Sequence, residues 1–175
     1  NATAAMAFGT TTIASASAMM TWIFFDRING RKISALGACI GAVVGLVAIT
    51  PGCGFVSIAE SIFIGFISAI VSNMAVNWKK LKSVDDTLDV FACHGIGGIM
   101  GMILTAIFAR GENASLLHGG IGVFAHHMTA LLLVSVFTFF GALVIYKITD
   151  FIIPLRVEET SEELGLDISQ HNESI

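Results

Sequence analysis

The residues best suited to chemistry lie in the stretch DVFACHGIGGIMG, residues 89–101. It places His94 in an apolar run, five residues after Asp89 and among several glycines. On a helix, Val90, His94 and Gly98 share one stripe, and the glycines leave room for a ligand or water. An imidazole binds and releases protons near neutral pH. The pattern indicates a proton-transfer residue at a cavity; the alternative is a packing histidine bonded to a carbonyl.

Acidic residues near this run have simpler interpretations. Asp89 starts the apolar run, so it can cap a helix there or interact with a cation. Asp85 and Asp86, with the nearby lysines, are expected to form a solvated charge cluster. Glu60 lies near one end of another apolar segment, where an interfacial position is favoured over attraction of cations to a vestibule.

The other histidines and the cysteines give little indication of a functional site. His118, His126 and His127 are read as surface histidines, because adjacent helical residues point about 100° apart and do not form a metal pair. The three cysteines are isolated and have no CxxC spacing. Since there is also no nucleophile elbow, P-loop, HExxH or carboxylate pair, the sequence predicts no metal, no cofactor and no enzyme activity.

Composition decides what kind of element holds His94. Apolar residues make up 55% of the 175 residues and charged residues 13%, with a mean hydropathy of +0.83. Soluble proteins carry about 25% charged residues. The net charge of −4 depends on an acidic tail after Arg156, and nothing indicates nucleic-acid binding. The sequence therefore predicts an integral membrane protein, in which a titratable residue within a span is costly and usually functional.

Five apolar segments are long enough to cross about 30 Å of hydrocarbon. Eight of the nine basic residues lie in the first and third loops or after the fifth segment, which predicts that this side is cytoplasmic. The chain has no initiator Met and is expected to be part of a longer polypeptide. The segments run from about Ala4 to Phe25, Ile33 to Ile49, Val56 to Val76, Val90 to Ala109, and Phe124 to Tyr146.

Small residues recur inside these segments. Gly37, Gly41 and Gly45 repeat every four residues, as do Gly97 and Gly101. In lipid, such spacing lets helix backbones approach closely, so these faces are predicted to pack on protein. The acidic tail has no apolar period; Thr160 and Glu163 stand at capping-box spacing, which favours a short helical turn there.

Four stretches resemble one known family. VDDTLDVFACHGIGGIMG, SALGACIGAVVGLVAITPGCGFV, AAMAFGTTTIASASAMMTWIF and the tail EELGLDISQHNE are similar, in this order, to the carboxy-terminal half of the Amt/Mep/Rh ammonium transporters, on the Amt branch. The resemblance implies an all-α membrane protein whose five transmembrane helices correspond to helices 7–11 of an eleven-helix fold. It implies a transmembrane domain over residues 1–153 and a cytoplasmic regulatory tail over 154–175.

The resemblance also implies roles for residues. His94 matches the second member of the family's twin-histidine pair, which relays protons in a hydrophobic pore. Asp89 matches an aspartate just inside the pore, and Thr50 a position at an outer turn. The other matching positions are the pore-lining Val90, Leu36 and Ile40, the last where relatives often carry a small polar residue, and Gly165, Leu166, Asp167 and His171 in the tail.

The function that the resemblance implies is ammonium transport. Ammonium is recruited and deprotonated, and ammonia crosses a hydrophobic pore, with or without the relayed proton. The implied setting is a multi-pass protein of the plasma or inner membrane, with a cytoplasmic carboxy terminus, which forms a homotrimer and meets a PII-type signalling protein on its cytoplasmic face. The alternative is an ammonium sensor of the same fold that signals through the tail.

Overall fold

A computed structural model describes residues 1–81, 86–111 and 114–173, with only the backbone for residues 79–81. All regular structure in these ranges is helical, which confirms the predicted all-α class. A π-helical segment, Phe91–Ile96, leads directly into α4. The α-helices are α1 (Ala2–Ile28), α2 (Ala35–Ile49), α3 (Ile58–Leu81), α4 (Gly97–Phe108), α5 (Leu116–Gly119), α6 (Ile121–Ile152), α7 (Glu159–Leu164) and α8 (Leu166–His171).

Three helical segments in the described part of the chain are long and apolar enough to cross a membrane. They are Ile58–Trp78, Phe91–Phe108 and Ile121–Ile152. The other two predicted spans are also helices. However, α2 has only 15 residues, short of the roughly 20 that cross the hydrocarbon. The 27 residues of α1 are long enough to cross a membrane, but its threonine and serine residues lower its mean hydropathy.

The first compact unit, Asn1–Leu131, is organised around α1. This helix packs along both α2 and α3, and α2 also contacts α4. Two apolar clusters fill the interior. One contains Ala14, Ala48, Ile49, Val56, Ile64 and Leu104, and the other contains Trp22, Val44, Val76, Ala92 and Cys93.

Glycines set the spacing of these helices, as their sequence pattern predicts. A Cβ atom on Gly41 would lie 2.6 Å from the Cβ of Trp22, closer than any real contact. Gly45 on α2 and Gly65 on α3 both face the backbone carbonyl oxygen of Ala14. Gly101 on α4 faces the carbonyl oxygen of Ala48 in the same way. The helices therefore meet backbone to backbone, which requires the absence of a side chain.

The start of α3 gives Glu60 a structural role. The Glu60 carboxylate accepts the backbone N–H of Ser57 at 2.6 Å, and Ser57 Oγ accepts the N–H of Glu60 at 3.4 Å. This reciprocal pair is a capping box. The same carboxylate forms a two-pronged ion pair with Arg110, with distances of 3.0–3.2 Å. Glu60 therefore caps the start of α3 and connects this helix to Arg110, two residues after the end of α4.

These two roles of Glu60 can be separated by substitution. Glu60→Gln keeps an oxygen for the capping box but loses the ion pair, which is largely exposed on the Arg110 side and is worth less than about 1 kcal/mol. Glu60→Ala loses both, so we expect a further destabilisation of about 1 kcal/mol. Thermal unfolding of the full-length protein in detergent measures the difference. Equal effects of the two substitutions would argue against the capping role.

The second compact unit, Leu132–Ile175, contains the rest of α6 and the tail. The tail forms the short helices α7 and α8, joined at Gly165, whose φ of +97° suits glycine. Arg156 holds Glu162 through a two-pronged ion pair of 2.8 and 2.9 Å and lowers the pKa of that carboxyl. The short helical turn predicted here is confirmed as α7, but the helix begins at Glu159, so Thr160 lies inside it and does not cap it.

Candidate functional site

The π-helical segment determines what His94 can reach. Ala92 and Cys93 face the interior, while Phe91 and His94 are exposed. In the described part of the chain, no residue forms a hydrogen bond with the His94 imidazole. Val90, one turn earlier, is 49% exposed. Widened π-helical turns are rare and frequently occur at functional sites. His94 thus lies exposed in an apolar segment that is long enough to cross a membrane.

Asp86 starts the helix that carries His94. Its two carboxylate oxygens accept the backbone N–H groups of Val90 at 2.9 Å and Phe91 at 3.1 Å. Its carbonyl oxygen accepts the N–H of Asp89 at 3.0 Å. Asp86 therefore has a helix-capping role in addition to the solvated charge predicted for it. The other members of that predicted cluster (Asp85 and the side chains of Lys79, Lys80 and Lys82) lie outside the described residues.

Asp89 is mostly buried, with 9% of its surface exposed, and its backbone has a left-handed φ of +55°. It lines a cavity of about 190 Å³ at the end of the bundle where α1 finishes and α2 begins. Two predicted pore-lining residues, Leu36 and Ile40, line the same cavity. The structure therefore brings three of the predicted site residues together. The remaining lining residues are Trp22, Asp26, Arg31, Lys32, Ser34, Gly37, Asn73, Val76 and Asn77.

A polar network forms one wall of this cavity. Arg31 lies 2.9 Å from Asp26 and donates from Nη2 to Asn73 Oδ1 at 2.7 Å. Asn73, only 1% exposed, donates to Asp26 at 3.0 Å and accepts from Asn77 at 3.0 Å. The network joins the end of α1, the following loop and α3. Sequence reasoning missed it, although an asparagine inside an apolar span is a signal that could have identified it.

Removing the centre of this network is expected to destabilise the bundle. Asn73→Ala leaves Arg31, Asp26 and Asn77 without their shared partner, and the loss of buried hydrogen bonds costs about 1–3 kcal/mol. Asn29→Ala is the matched control, because Asn29 is exposed and, among the described residues, its side chain bonds only to the carbonyl of Phe25. Thermal unfolding of the full-length protein compares them. If the midpoint of thermal unfolding falls no more in Asn73→Ala than in the control, the network has no structural role.

The remaining predicted site residues lie elsewhere. Thr50 is exposed at the end of α2, where its hydroxyl donates to the carbonyl of Leu46 at 2.7 Å. The predicted tail residues belong to the second unit. Gly165 joins its two short helices, Leu166 and Asp167 begin α8, and His171 ends it.

Comparison with known proteins identifies relatives of the whole chain. The model of a family described as the Ammonium Transporter Family matches residues 1–175. An ammonium transporter of Bacillus subtilis is 40% identical over 173 residues, which cover 95% of this chain and 43% of that protein. The chain thus spans less than half the length of this relative.

Solved structures share the fold. The crystal structure of Saccharomyces cerevisiae Mep2 matches with a TM-score of 0.85 and 29% identity, covering 97% of this chain and 41% of that one. A structure described as a sensor Amt protein matches with a TM-score of 0.82 and 26% identity, covering 97% and 42%. Both contain the arrangement of helices described above.

Proposed function

This chain belongs to the ammonium transporter family, and on that premise we propose that it forms the carboxy-terminal part of an ammonium transporter whose pore contains His94. One observation supports this most directly: His94 lies in a membrane-spanning segment, exposed and without a hydrogen-bond partner in the described part of the chain. An imidazole in that position can accept a proton on one side and release it on the other.

The proposed mechanism separates ammonium into ammonia and a proton. A bare cation in an apolar pore meets a heavy desolvation cost. A neutral ammonia molecule avoids that cost, and His94, with a second histidine supplied by the rest of the transporter, relays the proton. Potassium has the same charge but no proton to lose, so it is rejected. The same family relation makes the protein a transporter rather than an enzyme.

The cavity beside Asp89 fits the inner end of this route. Leu36 and Ile40 supply its apolar side, and Asp89 supplies a buried carboxyl group. Ammonia that leaves the apolar section meets polar groups there and can be protonated again. In this assignment the cavity faces the cytoplasm, as the distribution of basic residues predicts.

Large apolar surfaces support assembly with further protein and lipid in the plasma or inner membrane. An open groove of about 670 Å³ along α1 and α3 is lined almost entirely by apolar side chains. We propose that the remaining helices of the transporter, a homotrimer and the bilayer cover such surfaces. The tail after residue 153 is proposed to be cytoplasmic and to meet a PII-type signalling protein.

A sensor of the same fold is the second candidate. The similarity to the structure described as a sensor Amt protein favours it. Such a protein binds ammonium and reports its occupancy through the tail, with Gly165, Leu166, Asp167 and His171 in the responding segment.

Flux through the purified full-length protein in proteoliposomes decides between these functions. A transporter produces ammonium flux or current above that of empty liposomes and none with potassium. Binding of ammonium without any flux would overturn the transport proposal and support the sensor. Equal flux of potassium would overturn the proton-separation mechanism.

A further inference from the structure

We propose that Asp86 is the positioning residue for His94: its carboxylate fixes the start of the π-helical segment and so the direction in which the imidazole points. This inference rests on the proposed function of His94 as a proton relay. Asp86 does not contact the substrate in this proposal. It acts on transport only through the backbone that carries the imidazole.

The first step of the argument is the set of bonds that Asp86 accepts. Three consecutive N–H groups, those of Asp89, Val90 and Phe91, all donate to this one residue. The first N–H groups of a helix have no partner within the helix, and a carboxylate at that end also complements the helix dipole. Asp86 therefore fixes where the helix begins.

The second step is the strained turn that these bonds hold. Asp89 has a φ of +55°, a conformation that a non-glycine residue adopts rarely and that the surrounding structure must enforce. From this turn the helical bonding starts, with the N–H of Cys93 donating to the carbonyl of Asp89 at 2.9 Å. The turn is held on one side by Asp86 and continues directly into the π-helical segment on the other.

The third step is the effect on His94. Its helix is π-helical over Phe91–Ile96, so its residues are rotated relative to a regular α-helix. The backbone N–H of Phe91 donates to Asp86, and the Phe91 ring packs against Gly95. A Cβ atom added to Gly95 would lie 3.1 Å from that ring. If the start of the helix shifts, the segment can return to regular α-helical bonding. The imidazole then points away from its working direction.

The test compares substitutions in the full-length transporter. Asp86→Ala removes both carboxylate bonds, and we expect selective ammonium flux to fall about 10–100-fold, the range that a small misplacement of a reacting group produces. Asp86→Asn keeps one acceptor oxygen, so we expect its selective ammonium flux to fall less. Asp150→Asn is the control, because Asp150 accepts a backbone N–H, that of Leu155, at 3.1 Å on an exposed part of the chain.

A double substitution distinguishes positioning from a general structural role. If Asp86 acts through His94, Asp86→Ala combined with His94→Ala transports no worse than His94→Ala alone, because coupled residues are not additive. Additive losses, or unchanged flux in both Asp86 variants, would overturn the proposal. If Asp86→Ala does not assemble, Asp86→Asn replaces it, alone and in combination with His94→Ala. Unchanged flux in His94→Ala alone would instead overturn the relay function itself.

Discussion

Replacing His94 with alanine in the full-length protein is expected, on the proposed transport function, to lower selective ammonium flux by about 100-fold or more, the range that the loss of a positioned acid–base group produces. The imidazole is exposed in an apolar segment long enough to cross a membrane and bonds to no described residue, so we expect this part of the fold to tolerate removal of the ring. Flux of ammonium and of potassium in proteoliposomes measures both the rate and the selectivity.

The matched control is His126→Ala. His126 is also an exposed histidine on a helix, but no part of the proposed route contains it. We expect its flux to remain that of the unchanged protein. Size-exclusion chromatography in detergent checks that each variant assembles. If assembled His94→Ala protein keeps the rate and the preference for ammonium over potassium, His94 is not a proton relay.

Gly101→Ala is expected to lower the stability of the helix bundle. The added methyl group points at the carbonyl oxygen of Ala48, which is backbone and cannot rotate away. Helices α2 and α4 must therefore separate, and such overpacking costs about 1–3 kcal/mol. Thermal unfolding in detergent measures the loss as a lower midpoint.

Gly98→Ala provides the control for Gly101→Ala. It makes the same chemical change on the same helix, but its methyl group would meet Val47 at 3.9 Å, an ordinary contact. We expect little change, or a small gain because alanine favours the helix. Equal midpoints for the two variants would show that the glycine at position 101 does not set the distance between α2 and α4.

The helices and their packing glycines follow from local sequence. Apolar runs predict where the helices lie, and repeats such as Gly37, Gly41 and Gly45 predict which faces meet. The lengths were less predictable, because the cost of crossing the membrane depends on the whole assembly. Thus α2 is only 15 residues long, while α6 extends beyond the predicted range in both directions.

Most of the candidate site depends on contacts between distant parts of the chain. His94 stands out because an imidazole is unusual in an apolar run. In contrast, Asn73 bonds to residues 42 and 47 positions away, and Glu60 to one 50 positions away. No local pattern encodes these partners. The role of Asp86 is local, but a π-helical turn has no sequence period that would have predicted it.

The carbonyl group of Ala14 couples the packing of three helices, α1, α2 and α3. Gly45 on α2 and Gly65 on α3 both approach this one oxygen atom. A side chain at position 45 would crowd this oxygen, and so would one at position 65. A larger residue at either position therefore requires α1 to move, and that movement changes the contact made by the other glycine as well.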